Sequence, residues 1–295
     1  MILVIGDIML DKYTFGKIER INPEAPVPIV HVTKEEYRLG GAANVANNLA
    51  SLNCDVALLG VANNDFAGSK LKQICDTNNI KTFLFSDGRP TIIKQRFIAD
   101  MYNQQVLRVD HEEKHNIDDA IVDKVVNQVI ELNPNIVIIS DYAKGIVTSY
   151  LMNELKQKFK GKILVDPKPQ NFGLYKDVFL IKPNASEARQ YLGCDDVVDN
   201  ISKMSRELNA NILVTLGKNG SVLFDSSKNE SFSVESLAKD VYDVSGAGDT
   251  YLATLAYALD NNFELKNAMQ LANKAASIVV GKVGTATITY SELFN

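Results

Sequence analysis

The sequence contains no tryptophan, and it is poor in the residues that build metal and disulfide frameworks. Its three cysteines, Cys54, Cys75 and Cys194, are far apart and odd in number, with no Cys-x-x-Cys pair. This argues against a disulfide scaffold or a structural zinc site and leaves buried free thiols as the reading. Of the three histidines, His31, His111 and His115, only the last two are near each other. Their i, i+4 spacing suits a metal on a helix, but no Glu-His context surrounds them, so a solvated face is the better reading. No apolar run approaches the roughly 20 residues that span a bilayer, so no membrane partner is expected. The opening MILVIGDIML has no basic region ahead of its apolar residues and reads as a strand, which makes the cytoplasm the expected compartment. A formal net charge of -5 argues against a nucleic-acid partner. Neither a Walker motif nor the Gly-rich loop and His-Arg-Asp set of protein kinases occurs. There is also no Gly/Ser-rich linker, internal repeat or low-complexity run.

What remains is an ordinary globular mix of 46% hydrophobic and 23% charged residues over 295 positions, ample for a packed core. Strand-like runs alternate with amphipathic helical patterns. ILVIG precedes helical ANVANNLASL, and VALLGV precedes FAGSKLKQICDTN. Further on, IVDKVVNQVIEL leads to NIVIIS, YLMNELKQKF to KILVDP, and DVFLIKPN to helical SEARQYL, before NILVTLG. Strands that are apolar throughout suit a parallel sheet buried on both faces. The expected fold is therefore α/β, a doubly wound, mostly parallel sheet flanked by helices, with ligands at the carboxyl ends of the strands. Two segments break this pattern, at about 12–38 and 90–110. The first holds Pro23, Pro26 and Pro28. The second alternates with period two through TIIKQRFIAD, a turn near Tyr102 and Asn103, and QQVLRVD. Both read as strands solvated on one face, forming a small β-sheet lid over the cleft.

The most informative residues are DVSGAGDT, Asp243 to Thr250, followed by the apolar TYLATLAYAL. Glycines at the mouth of a helix let bare backbone N–H groups approach an anion at the positive end of the helix dipole. Gly246, Ala247 and Gly248 would line that anion hole, and Asp249 would accept a proton from a hydroxyl. A tight turn with an N-capping carboxylate is the plainer alternative. Gly40, Gly41 and Asn44 open the first helix, and Asp7 and Asp11 follow the first strand. Such groups can bind sugar hydroxyls, although either aspartate is also a good cap. Asn184 and Glu187 form a capping-box pattern around Ser186, and Glu187 is also placed to hold magnesium through water. Thr215, Gly217 and Gly220 mark a turn at a strand end suited to phosphate or ribose. Ala272, Ala275 and Ala276 put small residues on one side of a later helix, which leaves room for a flat base or for close helix packing.

Lys94 and Arg96 lie two apart on a lid strand and face one side, and Arg108 returns on the next strand. A phosphorylated substrate needs such cations, with Lys94 and Arg108 favoured over Arg96. An apolar lid face must also be buried somewhere, and a homodimer through the lid is expected.

Taken in order, Gly6-Asp7, Gly40-Gly41-Ala42-Ala43-Asn44, Asn184-Ala185-Ser186-Glu187, Thr215-Leu216-Gly217 and DVSGAGDT resemble the ribokinase family of PfkB-type carbohydrate kinases over essentially the whole chain. Within it, RINPEAPVPIV from Arg20, SDYAKG from Ser140, VDPK from Val165 and VVGKVGT from Val279 are most similar to kinases of D-glycero-D-manno-heptose 7-phosphate. The resemblance implies a single ribokinase-like domain over 1–295, with no fused nucleotidyltransferase after it. It also implies ATP and Mg²⁺ as cofactors and phosphorylation of the anomeric hydroxyl of the heptose 7-phosphate. Asp249 is implied as the base, and Asp7, Asp11, Gly40, Gly41, Asn44 and Asp141 as sugar-site residues. Lys168, Asn184, Ser186, Glu187, Thr215, Gly217, Gly220 and Asn273 would lie on the nucleotide side. Lys182 stands where the family pattern has a neutral residue such as threonine. The remaining readings are a kinase for ribose or fructose 1-phosphate, and a silent sugar- or nucleotide-binding regulator.

Overall fold

The structure is a computed structural model that describes residues 1–295 apart from 102, 103, 239–241 and 283. The expected turn at Tyr102 and Asn103 lies outside the described residues. The chain opens with β1 (Ile2–Gly6), β2 (Ile8–Ile21), β3 (Pro28–Gly41), α1 (Ala42–Ser51), β4 (Val56–Val61) and α2 (Phe66–Thr77). Next come β5 (Lys81–Phe85), β6 (Ile92–Ala99), β7 (Gln104–His111), α3 (Asp119–Leu132), β8 (Ile136–Ser140) and α4 (Ser149–Lys158). The second half holds β9 (Lys162–Asp166), β10 (Leu180–Ile181), α5 (Ala185–Leu192), α6 (Val197–Leu208), β11 (Asn211–Thr215), β12 (Ser221–Asp225) and β13 (Glu230–Val234). It ends with α7 (Ala247–Asp260), α8 (Leu265–Val279) and α9 (Tyr290–Phe294).

The main sheet runs β13-β12-β11-β10-β9-β8-β1-β4-β5. It is parallel from β11 to β5, and β12 and β13 are antiparallel at one edge. Side chains alternate across each strand. Leu3, Ile5, Val137 and Ile139 therefore pack on the face covered by α3 to α6, while Ile2, Val4, Ile136 and Ile138 pack under α1, α2, α7 and α8. This two-faced burial is why β1 and β8 read as unbroken apolar runs. Helix α7 is buried along nearly its whole length and packs on β1, β8, α1 and α8. A helix apolar on all sides belongs in such an interior position, and its N-terminus fixes the anion-hole turn in space.

A second sheet, β3-β2-β6-β7, is the lid. Its strands are longer than the sequence suggested: β2 begins one residue after β1, and β3 runs on to Gly41. Asp11 pairs in register with Arg38 and Lys94, and Tyr13 with Arg96, so these side chains share one face. That face looks toward the 284 loop, since a side chain at Gly284 would run into Arg38 and sit beside the Tyr13 hydroxyl. His111 ends β7 and His115 lies in irregular chain, so the helical metal spacing does not arise. Among the described residues there is no helix long and apolar enough to cross a membrane and no cluster of three metal-ligating side chains.

Candidate active site

Gly246 sits at φ 79° as the residue before α7, a left-handed conformation that costs any side-chain-bearing residue. The preceding Asp243 holds the turn, accepting from the Ser245 amide (2.8 Å) and the Gly284 amide (2.9 Å). Burial alone would raise its carboxyl, but these amides bring it below the usual carboxylate range. The Ala247 amide is taken up by the Val244 carbonyl (3.2 Å), whereas among the described residues the amides of Gly248 and Asp249 meet no backbone carbonyl. Of the expected donors only Ala247 is spent on the turn; among the described residues the Gly246 amide, like those of Gly248 and Asp249, meets no backbone carbonyl.

Asp249 is 6% exposed. Asn44 Nδ2 donates to its Oδ2 (2.7 Å) and the Tyr142 hydroxyl to its Oδ1 (3.0 Å). Burial pushes its pKa up to about 6, helped by the charge of Asp166; the two hydrogen bonds and Lys182 oppose that rise. Asn44, expected on the sugar, is thus also a clamp on the carboxylate. Asn48 braces the clamp, donating to the Asn44 carbonyl (2.9 Å) and accepting from the Thr250 hydroxyl (2.9 Å).

A cleft of about 900 Å³ opens from this point between the ends of β9, β10 and β11 and the N-terminus of α7. Its walls bring together Asp249, Gly246, Ala247 and Gly248 with all the nucleotide-side residues expected from the sequence: Lys168, Asn184, Ser186, Glu187, Thr215, Gly217, Gly220 and Asn273. Asn184 and Glu187 form a full capping box. Glu187 accepts the Asn184 amide (2.9 Å) on Oε2 and Lys168 Nζ (2.6 Å) on Oε1. Asn273 Nδ2 donates to the Glu235 carbonyl (2.8 Å). Ala276 lines the cleft, while Ala272 and Ala275 are buried in the core.

Lys182, 2% exposed, reaches Asp166 Oδ1 (3.1 Å). Its ammonium lies 3.7 Å from where a Gly248 side chain would begin. The departure from the family pattern therefore puts a buried cation against the anion hole. Burial raises the Asp166 carboxyl, and Lys182 partly offsets this.

The sugar-side residues divide. Asp11 is 3% exposed and accepts from Arg96 Nη1 (2.6 Å) under Gly40. Asp7 instead faces the loop after β8, accepting the amides of Tyr142 (2.8 Å), Lys144 (3.0 Å) and Ile146 (3.4 Å). Burial carries its pKa up to about 6 against those amides. Asp141 is likewise internal, accepting from the Tyr175 hydroxyl, Asn171 Nδ2 (2.7 Å) and the Ala143 amide (2.6 Å). On the lid, Lys94 is bound to Asp110 (2.7 Å) and Glu112 (2.5 Å), and Arg108 is half exposed against Asp110 (3.0 Å). Arg96, ranked lower from the sequence, stands on Asp11 with its guanidinium 5.3 Å from the Tyr13 ring centre. Alternation alone could not show that Asp110 and Glu112, on and just after β7, occupy Lys94, or that Asp110 also occupies Arg108 two residues before it on the same strand.

Tyr142, Asp166 and Asn48 join the site without a role assigned from the sequence. Tyr142 and Asp166 lie within the SDYAKG and VDPK segments, which carried the resemblance but gave neither residue a part, and Asn48 lies inside α1, where spacing gives no sign of its contact with Thr250.

A doubly wound sheet with a β-lid and an aspartate at a bare helix N-terminus defines a kinase of small hydroxylated molecules. Residues 1–291 match the family model described as pfkB family carbohydrate kinase; the chain belongs to that family. It is 39% identical over 303 residues to the D-beta-D-heptose 7-phosphate kinase of Bordetella bronchiseptica, covering 99% of this chain and 94% of that protein. It is 42% identical over 301 residues to the bifunctional protein HldE of a Nitratiruptor species, covering 99% of this chain but 64% of that longer protein. Among solved structures, phosphofructokinase-2 from Escherichia coli superposes with a TM-score of 0.84 at 18% identity, over 100% of this chain and 96% of that one. A ribokinase from Thermotoga maritima gives 0.78 at 20% identity, over 99% and 97%. These two matches establish the ribokinase-like fold.

Proposed function

We propose that this chain transfers the γ-phosphoryl group of ATP to the anomeric hydroxyl of D-glycero-D-manno-heptose 7-phosphate, giving the 1,7-bisphosphate. The observation that carries the reading is the buried Asp249 carboxylate beside two amides without a backbone partner, at the mouth of a cleft large enough for a nucleotide. ATP lies along the ends of β9 to β11 with its last phosphate at Gly248. The sugar lies beneath the lid against Asp11, Gly40, Gly41 and Asn44. Asp249 takes the hydroxyl proton as that oxygen attacks phosphorus. The amides of Gly248 and Asp249, with Lys182, stabilise the charge on the transferred group.

Magnesium fits the donor set. Each Glu187 oxygen is used once and keeps a second lone pair for a metal-bound water, and Mg²⁺ usually holds only one or two carboxylates. When bound, it neutralises phosphate charge. Lys168 and Lys182 are each paired with a carboxylate, so arrival of phosphate gives both lysines a competing anion.

The substrate's own phosphate meets the lid cations, with Lys94 and Arg108 as first candidates and Arg96 beside them. Exposed Ile21, Val32 and Leu107 on the lid strands support a homodimer through the lid, and the cytoplasm is the proposed compartment.

The test is a coupled ATP-consumption assay with heptose 7-phosphate, unphosphorylated heptose, ribose and fructose 1-phosphate. Heptose 7-phosphate should be turned over best, and Asp249→Asn should cut that turnover by ~10²–10⁴-fold. A faster reaction with another sugar would refute the substrate, and no ATP consumption at all would refute the enzyme. Lys94→Ala and Arg108→Ala should weaken the phosphorylated sugar more than the unphosphorylated one; equal losses would remove them from the phosphate site.

A further inference from the structure

The loop after β8 is unusually well anchored. Asp7 accepts three of its amides. Arg89, 4% exposed, donates to the Lys144 carbonyl (2.7 Å) and is itself fixed by Asp87. The Lys144 ammonium reaches Glu112 (2.6 Å), which also holds Lys94 of the lid. These tethers leave Tyr142 little freedom. Its ring lines the cleft below Lys168, whose ammonium is 5.4 Å from the ring centre, and its hydroxyl ends on Asp249 Oδ1.

We propose that Tyr142 is a positioning residue for the reaction: delivered by the anchored 141–146 loop, its hydroxyl donates to Asp249 Oδ1 and, with Asn44 on Oδ2, fixes the carboxylate plane and sustains its ionised form. This rests on the assignment of Asp249 as the base. The logic is geometric. A carboxylate held by one donor can still rotate about its Cβ–Cγ bond. Two donors on opposite oxygens, from α1 and from the loop after β8, stop that rotation. One lone pair on each oxygen then stays free for the acceptor hydroxyl. A hydrogen bond to the charged form also favours that form, which matters for a carboxylate buried beside Asp166.

The groups facing Asp249 are Asn44 from α1, Tyr142 from the loop, Asp166 at the end of β9 and Lys182 after β10. Lys168, bound to Glu187, sits over the Tyr142 ring, and Asp11 acts on the Tyr142 hydroxyl through its charge. Among the described residues, the side chains that donate hydrogen bonds to the carboxylate are Tyr142 and Asn44. Removing the Tyr142 hydroxyl leaves Asp166 opposed by Asn44 and Lys182 alone.

Tyr142→Phe keeps the ring under Lys168 and deletes only the donor. The expected result is an acid limb of kcat/KM displaced upward by about one pH unit. The ratio of rates at pH 6 and pH 8.5 should then fall by roughly three- to tenfold relative to the unaltered chain. A second measurement needs no turnover. Urea midpoints for Tyr142→Phe, Asp249→Asn and the double variant should be non-additive at pH 8 and close to additive at pH 4.5, where the carboxyl is protonated. An unmoved acid limb, or midpoints that add at pH 8, would overturn the positioning role. If Asp249→Asn alone keeps near-normal turnover, the base assignment fails instead, and the unfolding cycle still reports the charge-dependent part of the Tyr142–Asp249 contact.

Discussion

Replacing Asp249 by asparagine should make the protein more stable while removing its activity. The side chain is buried and its pKa is pushed up to about 6 from an ordinary 3.8, chiefly by burial and then by Asp166. A raised carboxylate pKa means that the folded state resists ionisation. The folded chain therefore carries a penalty above pH 6 that shrinks as pH falls and is gone below 3.8. At about 1.4 kcal/mol per pKa unit, the penalty at pH 7.5 is about 3 kcal/mol. Asparagine is close in shape and suits the same partners: its oxygen can accept from Asn44, and its amide can donate to the Tyr142 oxygen, which is both donor and acceptor. With an unfolding entropy of about 2.1 cal/mol/K per residue, 3 kcal/mol in a 295-residue chain corresponds to a rise in Tm of about 5 °C. The assay is thermal and urea unfolding of both chains at pH 7.5 and pH 5, where the gain should drop to about half. A variant no more stable at pH 7.5, or a gain that does not shrink at pH 5, would show that Asp249 is not held as a strained, buried anion.

Two further substitutions probe the turn and the buried lysine. Gly246→Ala places a methyl group 3.0 Å from Asn44 Nδ2 at φ 79°. It should cost about 1–2 kcal/mol in urea unfolding and lower turnover by displacing Asn44 from Asp249; unchanged turnover would separate the turn from the clamp. Lys182→Met leaves the partly buried Asp166, which lines the cleft, without its partner and should destabilise the protein, by less than the roughly 3–5 kcal/mol of a fully buried broken pair. Adding Asp166→Asn should restore most of that stability but not the turnover, as read by unfolding and steady-state assays; recovery of both would make the lysine merely structural.

Much of the fold was legible because the physics is local and periodic. β1, β4, β8, β9 and β11 are apolar on both faces, and α1, α2, α3 and α4 follow their amphipathic patterns, so the layered parallel sheet could be read directly. Strand β10 is only Leu180–Ile181, shorter than DVFLIKPN implied, because Pro183 lacks an N–H and ends the ladder. The early start of β2 was hidden as well: Ile8, Met9 and Leu10 are buried and read as a continuation of the first strand. In the site, the Gly-rich turn, the Asn184–Glu187 cap and the turn from Thr215 to Gly220 were readable because glycines and caps mark strand ends, whereas Lys168 and Asn273 came only with the family resemblance. The partners of each charge were not. Nothing in the spacing of Asp7 and Tyr142, which are 135 positions apart, indicates that one anchors the other's amide. Nor does Lys94 reveal that Asp110 and Glu112 are already on it.

The distribution of carboxylates explains why these pairings matter. Asp7, Asp141, Asp166 and Asp249 all stand at strand or helix ends around one point, and three of them have raised pKa values. Such a concentration of buried acid is unfavourable in an isolated chain. Asp7 and Asp141 are stabilised by loop amides and hydroxyl groups, and Asp166 by Lys182, so their charges are committed to structure. Asp249 is different: its donors hold it in place without neutralising it, and Lys182 is shared with Asp166. Asp7 is raised as far, but three loop amides occupy it, whereas Asp249 stands at the mouth of the cleft, where an alcohol can reach it. The same arrangement that makes it costly to fold makes it suited to accept one from an alcohol, because protonation relieves its repulsion with Asp166 while the two donors keep its geometry.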